Sequence, residues 1–98
     1  MILVRDVFHL KYGKAKEAVA LWKKAVNLMN KQSTGNYRIM TDLVGTYYTI
    51  VLEGTYNSLS DFDKENKGHS STQEWEAIYA QIVPLINDGY RDIWTVVD

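Results

Sequence analysis

The sequence predicts an α+β domain of order β-α-β-β-α-β, with a four-stranded antiparallel sheet and helices on one face. Three observations predict it. Residues 2–11 are rich in β-branched and aromatic side chains and contain no Gly or Pro. From Lys14 the apolar residues change to a helical period. A hairpin, a second helical stretch and a final strand then follow within a 98-residue chain, short enough for a single domain over residues 1–98.

Ile2 to Lys11 reads as the first strand, through Val4, Val7 and Phe8, and Tyr12-Gly13 ends it. Ala15, Ala18, Val19, Trp22, Ala25, Val26 and Met29 then form one helical stripe, with Lys16, Glu17, Lys23 and Lys24 on the other side. Gln32-Ser33-Thr34-Gly35-Asn36 closes that helix. Tyr37 to Leu43 and Tyr47 to Gly54 are two strands joined around Gly45, a hairpin. Asn57 is placed to cap a second helix, with Leu59 and Phe62 inward, and Lys67-Gly68-His69-Ser70 interrupts it. Ser71 with Glu74 fits a capping box for a second segment carrying Trp75, Ile78, Tyr79, Ile82 and Ile86, which Pro84 should kink or end. Asn87-Asp88-Gly89 reads as a turn and Arg91 to Val97 as the last strand. This is the ferredoxin-like split pattern.

The strands lack the clean alternation of a sheet with one wet face. Leu3 and Val7 oppose Val4, Phe8 and Leu10, and Tyr47 and Val51 oppose Tyr48, Ile50 and Leu52. Two helices cover only one face, so a homodimer that closes the sheets into a barrel is the expected partner arrangement.

Composition excludes several classes. Eleven basic against 12 acidic residues give a net charge of −1, without the basic excess a nucleic-acid binder needs. No apolar run is long enough to span a bilayer, and the N-terminus is apolar for only four residues before Arg5-Asp6, so no membrane and no signal peptide are expected and a cytoplasmic location is the default. There is no Cys, and the two histidines have no paired ligand spacing, so neither a metal nor a cofactor is expected. No G-x-S-x-G elbow or phosphate loop is present.

The remaining candidates are polar and aromatic. Arg5 and Asp6 are adjacent in a strand and point to opposite faces, so at least one charge is partly buried. They are either a structural ion pair with Arg38 or Glu53, or a polar anchor inside a cavity. Asp6 or His69 is the candidate base, because a histidine titrates near neutrality, and Arg38 or Arg5 the candidate oxyanion donor. His9, Tyr47, Tyr48 and Trp94 lie on strand readings and could line a ligand pocket, although interface packing is the plainer reading for the tyrosines and Trp94. Trp22 and Trp75 read as core.

The stretch Val4-Arg5-Asp6-Val7-Phe8-His9-Leu10-Lys11-Tyr12-Gly13-Lys14 resembles the opening strand and turn of the dimeric α/β-barrel superfamily, in particular its NIPSNAP-like and antibiotic-biosynthesis-monooxygenase-like small proteins. Leu52-Glu53-Gly54, Leu59-Ser60-Asp61-Phe62, Glu74-Trp75, Pro84-Leu85-Ile86 and Arg91-Asp92-Ile93-Trp94 extend the similarity over nearly the whole chain. The resemblance implies a small-molecule-binding dimeric barrel. It allows a cofactor-free oxygenase-like reaction on an aromatic or quinol-like substrate, or alternatively a non-catalytic dimerisation or ligand-sensing module. Heme-degrading relatives carry a Trp near the end of the third strand, where Gly54-Thr55-Tyr56 supplies none, so heme chemistry is not implied.

Overall fold

The computed structural model describes residues 1–70 and 72–97, with the backbone alone at 69 and 70. Its elements are β1 (Ile2–Leu10), α1 (Ala15–Gln32), β2 (Arg38–Thr41), β3 (Thr49–Tyr56), α2 (Leu59–Ser70), α3 (Gln73–Ile82), a 3-10 turn (Val83–Leu85) and β4 (Ile86–Thr95). The sheet order is β2-β3-β1-β4, with every neighbouring pair antiparallel. The ferredoxin-like pattern therefore stands, with the second helical region divided into α2 and α3.

α1 buries its expected stripe: Ala18 and Ala25 are fully buried, and Trp22 retains 2% exposure. Small residues at two of these positions let the helix approach the sheet closely, and Val4, Leu10, Ile50 and Leu52 meet it from below. Along β3 burial alternates strictly, Ile50, Leu52, Gly54 and Tyr56 inward and Thr49, Val51, Glu53 and Thr55 outward.

Four sequence expectations are corrected, and a fifth falls outside the described residues. The Ser58 hydroxyl, not Asn57, caps α2, accepting from the Asp61 amide at 3.1 Å. Leu59 is exposed, and Phe62 alone of that pair turns inward. Helix α2 runs through Gly68, where a Cβ would meet open space, supported by a Lys67–Asp63 ion pair one turn apart. Ser71 lies outside the described residues, and Thr72 caps α3 by accepting from the Trp75 amide at 3.2 Å. Ile86 and Asn87-Asp88-Gly89 belong to β4. Gly89 sits opposite Phe8, and a Cβ there would lie 2.6 Å from the Phe8 ring. The glycine marks a close approach within the sheet, not a turn.

Candidate functional site

A cavity of about 310 Å³ opens between the sheet and the helices. Asp6 and Phe8 of β1, Leu52 and Tyr56 of β3, and Arg91 of β4 form its floor. Trp22 and Met29 of α1, Asn66 of α2, and Trp75 and Tyr79 of α3 roof it, and Tyr37, just ahead of β2, closes one end. Its walls are aromatic: Phe8 stacks on Trp22 at 5.1 Å between centroids, Trp75 stacks on Tyr79 at 5.9 Å, and the two tryptophans lie 6.5 Å apart. At this volume it accommodates one small, flat molecule.

The polar groups in it have separate origins. Asp6 faces Arg91 across the β1–β4 ladder and accepts from its Nε at 2.6 Å and its Nη2 at 3.4 Å. Burial alone would lower the Arg91 pKa, but the Asp6 hydrogen bond and charge outweigh it and hold the guanidinium above its ordinary value. The same guanidinium lies 5.1 Å over the Phe62 ring. Tyr37 and Tyr56 bring their hydroxyls to 3.0 Å of each other. Burial, followed by the Tyr56 contact, pushes the Tyr37 hydroxyl far above the usual tyrosine value, so it stays protonated. Trp22 Nε1 is buried and, among the described residues, has no hydrogen-bond partner. A buried donor left unpaired carries its full desolvation penalty, of order 1–3 kcal/mol.

Tyr37 is placed by its surroundings. The Asn30 side chain brackets its backbone, accepting from its N–H at 2.8 Å and donating to its carbonyl at 3.0 Å. Its ring lies over Gly54, where a Cβ would come within 2.7 Å of it.

Of the sequence candidates whose side chains are described, Asp6 alone lines this cavity. Its ion-pair partner is Arg91, not Arg38 or Glu53. Arg5 points to the open face and makes a two-pronged contact with Asp92, at 3.0 and 2.7 Å. Arg38 bonds Glu53 at 2.9 Å on that same face. His9 pairs there with Asp88, and Trp94 stands 5.8 Å from the Arg5 guanidinium. Tyr47 and Tyr48 are not on a strand. They form a turn before β3, Tyr48 with φ 61°, and line a separate groove beside α1. The His69 side chain lies outside the described residues. Sequence reasoning missed Arg91, Tyr37, Tyr56 and the Trp22 N–H as site groups. One signal was present: Arg5-Asp6 and Arg91-Asp92 are the same dipeptide, and in antiparallel register each Arg meets an Asp on both faces. Among the described residues no group of three His, Cys, Asp or Glu gathers as metal ligands, and no helix is long and apolar enough to cross a membrane.

The architecture defines an α+β protein of the ferredoxin-like class with a cavity between sheet and helices. The NIPSNAP family model matches residues 5–98, and the chain belongs to that family. Among solved structures it is similar to a NIPSNAP domain protein from Burkholderia xenovorans (TM-score 0.88, 15% identity, 99% of this chain and 95% of that one). It is also similar to a NIPSNAP family protein from Agrobacterium tumefaciens (TM-score 0.89, 19% identity, 99% and 93%). SnoaB, a cofactor-independent oxygenase from Streptomyces nogalater, shares the fold at TM-score 0.75 and 8% identity, over 99% and 93%. No curated protein matches the sequence.

Proposed function

We propose that the cavity binds a small planar aromatic ligand carrying at least one oxygen acceptor. One observation carries this reading: the cavity is walled by the stacked rings of Phe8, Trp22, Trp75 and Tyr79 and holds the Asp6–Arg91 pair. A ligand oxygen would accept from the Arg91 guanidinium, and stacked rings would hold the ligand plane. The shared fold with SnoaB supports the finer reading, an oxygenase-like reaction in which a deprotonated aromatic substrate itself reduces oxygen in a dry cavity. The alternative, a binding or sensing module without turnover, is favoured by a specific observation. Asp6, Arg5 and Arg38 are engaged in ion pairs and His9 in a hydrogen bond with Asp88, so none of them is a free base or donor.

The protein acts as a homodimer through the open sheet face in this reading. That face carries Val7, Val51, Tyr90 and Trp94 beside a row of balanced charges, so a second copy can cover it without burying net charge.

Titration with 1-naphthol, followed by tryptophan emission, tests the ligand: saturable quenching is expected, and its absence overturns the reading. Oxygen uptake measured with naphthohydroquinone separates the oxygenase from the binding module. Sedimentation equilibrium at micromolar concentration should give twice the 11.3 kDa chain mass, reduced by Trp94→Asp. A folded monomer would remove the dimer.

A further inference from the structure

Arg91 carries more N–H groups than Asp6 takes up. Its Nε donates to Asp6 Oδ1 at 2.6 Å and its Nη2 to Asp6 Oδ2 at 3.4 Å, while its Nη1 has no hydrogen-bond partner among the described residues. The Phe62 ring covers a face of the guanidinium and leaves that edge open. Asp6, Phe8, Tyr79 and Arg91 line both the cavity and a second recess beside β4, so the ion pair stands at the threshold between the two. We propose that Asp6 is a specificity-determining residue for the cavity: held against Arg91, it admits uncharged oxygenated aromatics and turns away aromatic carboxylates. The proposal rests on the ligand reading above.

A guanidinium alone among aromatic rings would be a carboxylate site, because it is planar, always charged and forked to match two oxygens. Asp6 removes each of those advantages. It occupies the Nε–Nη2 edge, one of the edges at which a carboxylate docks with two prongs. It cancels the charge, so an entering anion loses its hydration and gains no net attraction. It is itself buried, so its repulsion of a second carboxylate is weakly screened. An uncharged carbonyl or phenol oxygen loses less hydration and needs one donor, which Nη1 supplies.

The rest of the site does not alter this balance. Among the described residues, Asp6 and Arg91 are the charged groups lining the cavity, and burial keeps the Tyr37 hydroxyl protonated and neutral. Asp88, the other charged residue lining the recess, is also acidic and pairs with His9. Backbone register fixes the pair, since Asp6 and Arg91 are direct partners across β1 and β4. Packing alone does not call for it, because apolar residues of similar volume can replace an ion pair without loss of stability.

The probes are 1-acetonaphthone and 1-naphthoate, which share a ring and nearly a shape but differ in charge; 1-ethylnaphthalene lacks the oxygen. Equilibrium dialysis at pH 7 and low salt gives their affinities. The wild-type protein should prefer the ketone over the carboxylate at least about tenfold, and Asp6→Asn should narrow that ratio about tenfold through tighter naphthoate binding. Asp92→Asn, the same substitution on the open face, should leave the ratio unchanged. In the double variant Asp6→Asn/Arg91→Met the naphthoate gain should be absent, and the ketone should bind no better than 1-ethylnaphthalene. Should Asp6→Asn not fold, the double variant carries the test, because it leaves no charge of the pair behind; a ketone preference over 1-ethylnaphthalene that survives in it overturns the role given to the pair. Wild-type protein that binds naphthoate as tightly as the ketone, or a naphthoate affinity that Asp6→Asn does not move, overturns the selectivity and leaves the ligand reading standing. If none of the probes binds to the wild-type protein, the ligand reading falls and the selectivity falls with it.

Discussion

The two faces of the sheet use the same residue types to different ends. On the open face Arg38, Glu53, Arg5 and Asp92 line up in register across all four strands, alternating in sign. On the covered face the neighbouring register position of β1 and β4 supplies a single pair, Asp6–Arg91, set among aromatic rings. The open ladder is partly wetted, so each pair there contributes little on its own. In the covered pair Asp6 is buried, so leaving that carboxylate without Arg91 is costly, although Arg91 itself reaches solvent. A charge row can tile a surface, while one pair set among aromatic rings polarises a cavity.

Removing the roof of the covered face should have the largest effect. Trp22→Ala should lose about 3–5 kcal/mol, because the side chain is buried against Phe8 and the core. Urea denaturation measures it, and a loss below about 1 kcal/mol, the range of a surface change, would contradict the packing described. The two ion pairs test the comparison directly. Asp6→Asn should lose about 1.5–3 kcal/mol, the range for a hydrogen bond to a charged group, because Asp6 is buried while the Arg91 it leaves behind is exposed. Asp92→Asn on the open face should lose clearly less in the same assay, and equal losses would erase the distinction between the faces. Gly54→Ala should lose about 1–3 kcal/mol by forcing the Tyr37 ring aside, with near-ultraviolet circular dichroism reporting the displaced tyrosine. The smallest effect concerns acid. Glu65 and Asp92 are both held below their ordinary values, Asp92 chiefly by its Arg5 hydrogen bond. Their contribution is therefore full above the ordinary carboxylate range and is lost as pH falls through the lowered native values. Thermal midpoints should drop below about pH 4, and Glu65→Gln should flatten part of that slope; an unchanged slope would mean that Glu65 is not held as described.

Much of the fold was legible because periodicity survives packing. The α1 stripe from Ala15 to Met29 formed as read, and the third strand formed two residues later than read, over Thr49–Tyr56 and not Tyr47–Gly54, with an alternation of burial that the apolar residues at Tyr47 and Val51 had hidden. Gly89 was read as a turn because glycine breaks local structure in two ways, by freeing the backbone and by making room. Only the position of the Phe8 ring tells which applies. The site was less legible. Asp6 could be seen as a buried charge, but its partner depends on which strand lies beside β1, and that strand is 85 residues away along the chain. Tyr47 and Tyr48 looked like strand residues by composition, yet Tyr48 adopts a left-handed backbone and the strand starts one residue later.

The sequence by itself determined the order of elements, the helix face that is buried, the absence of thiol chemistry and a chain without a basic excess. These follow from local periods and from composition, which need no knowledge of the neighbours. The tertiary structure alone decided which charges meet, that Tyr37 lies over Gly54, that Trp22 keeps an unpaired N–H among the described residues, and that Ser33 and Glu65 join two buried tyrosines. Each depends on groups from separate elements arriving within about 3 Å of one another, and hydrogen-bond strength falls off too steeply with distance and angle for sequence spacing to specify it.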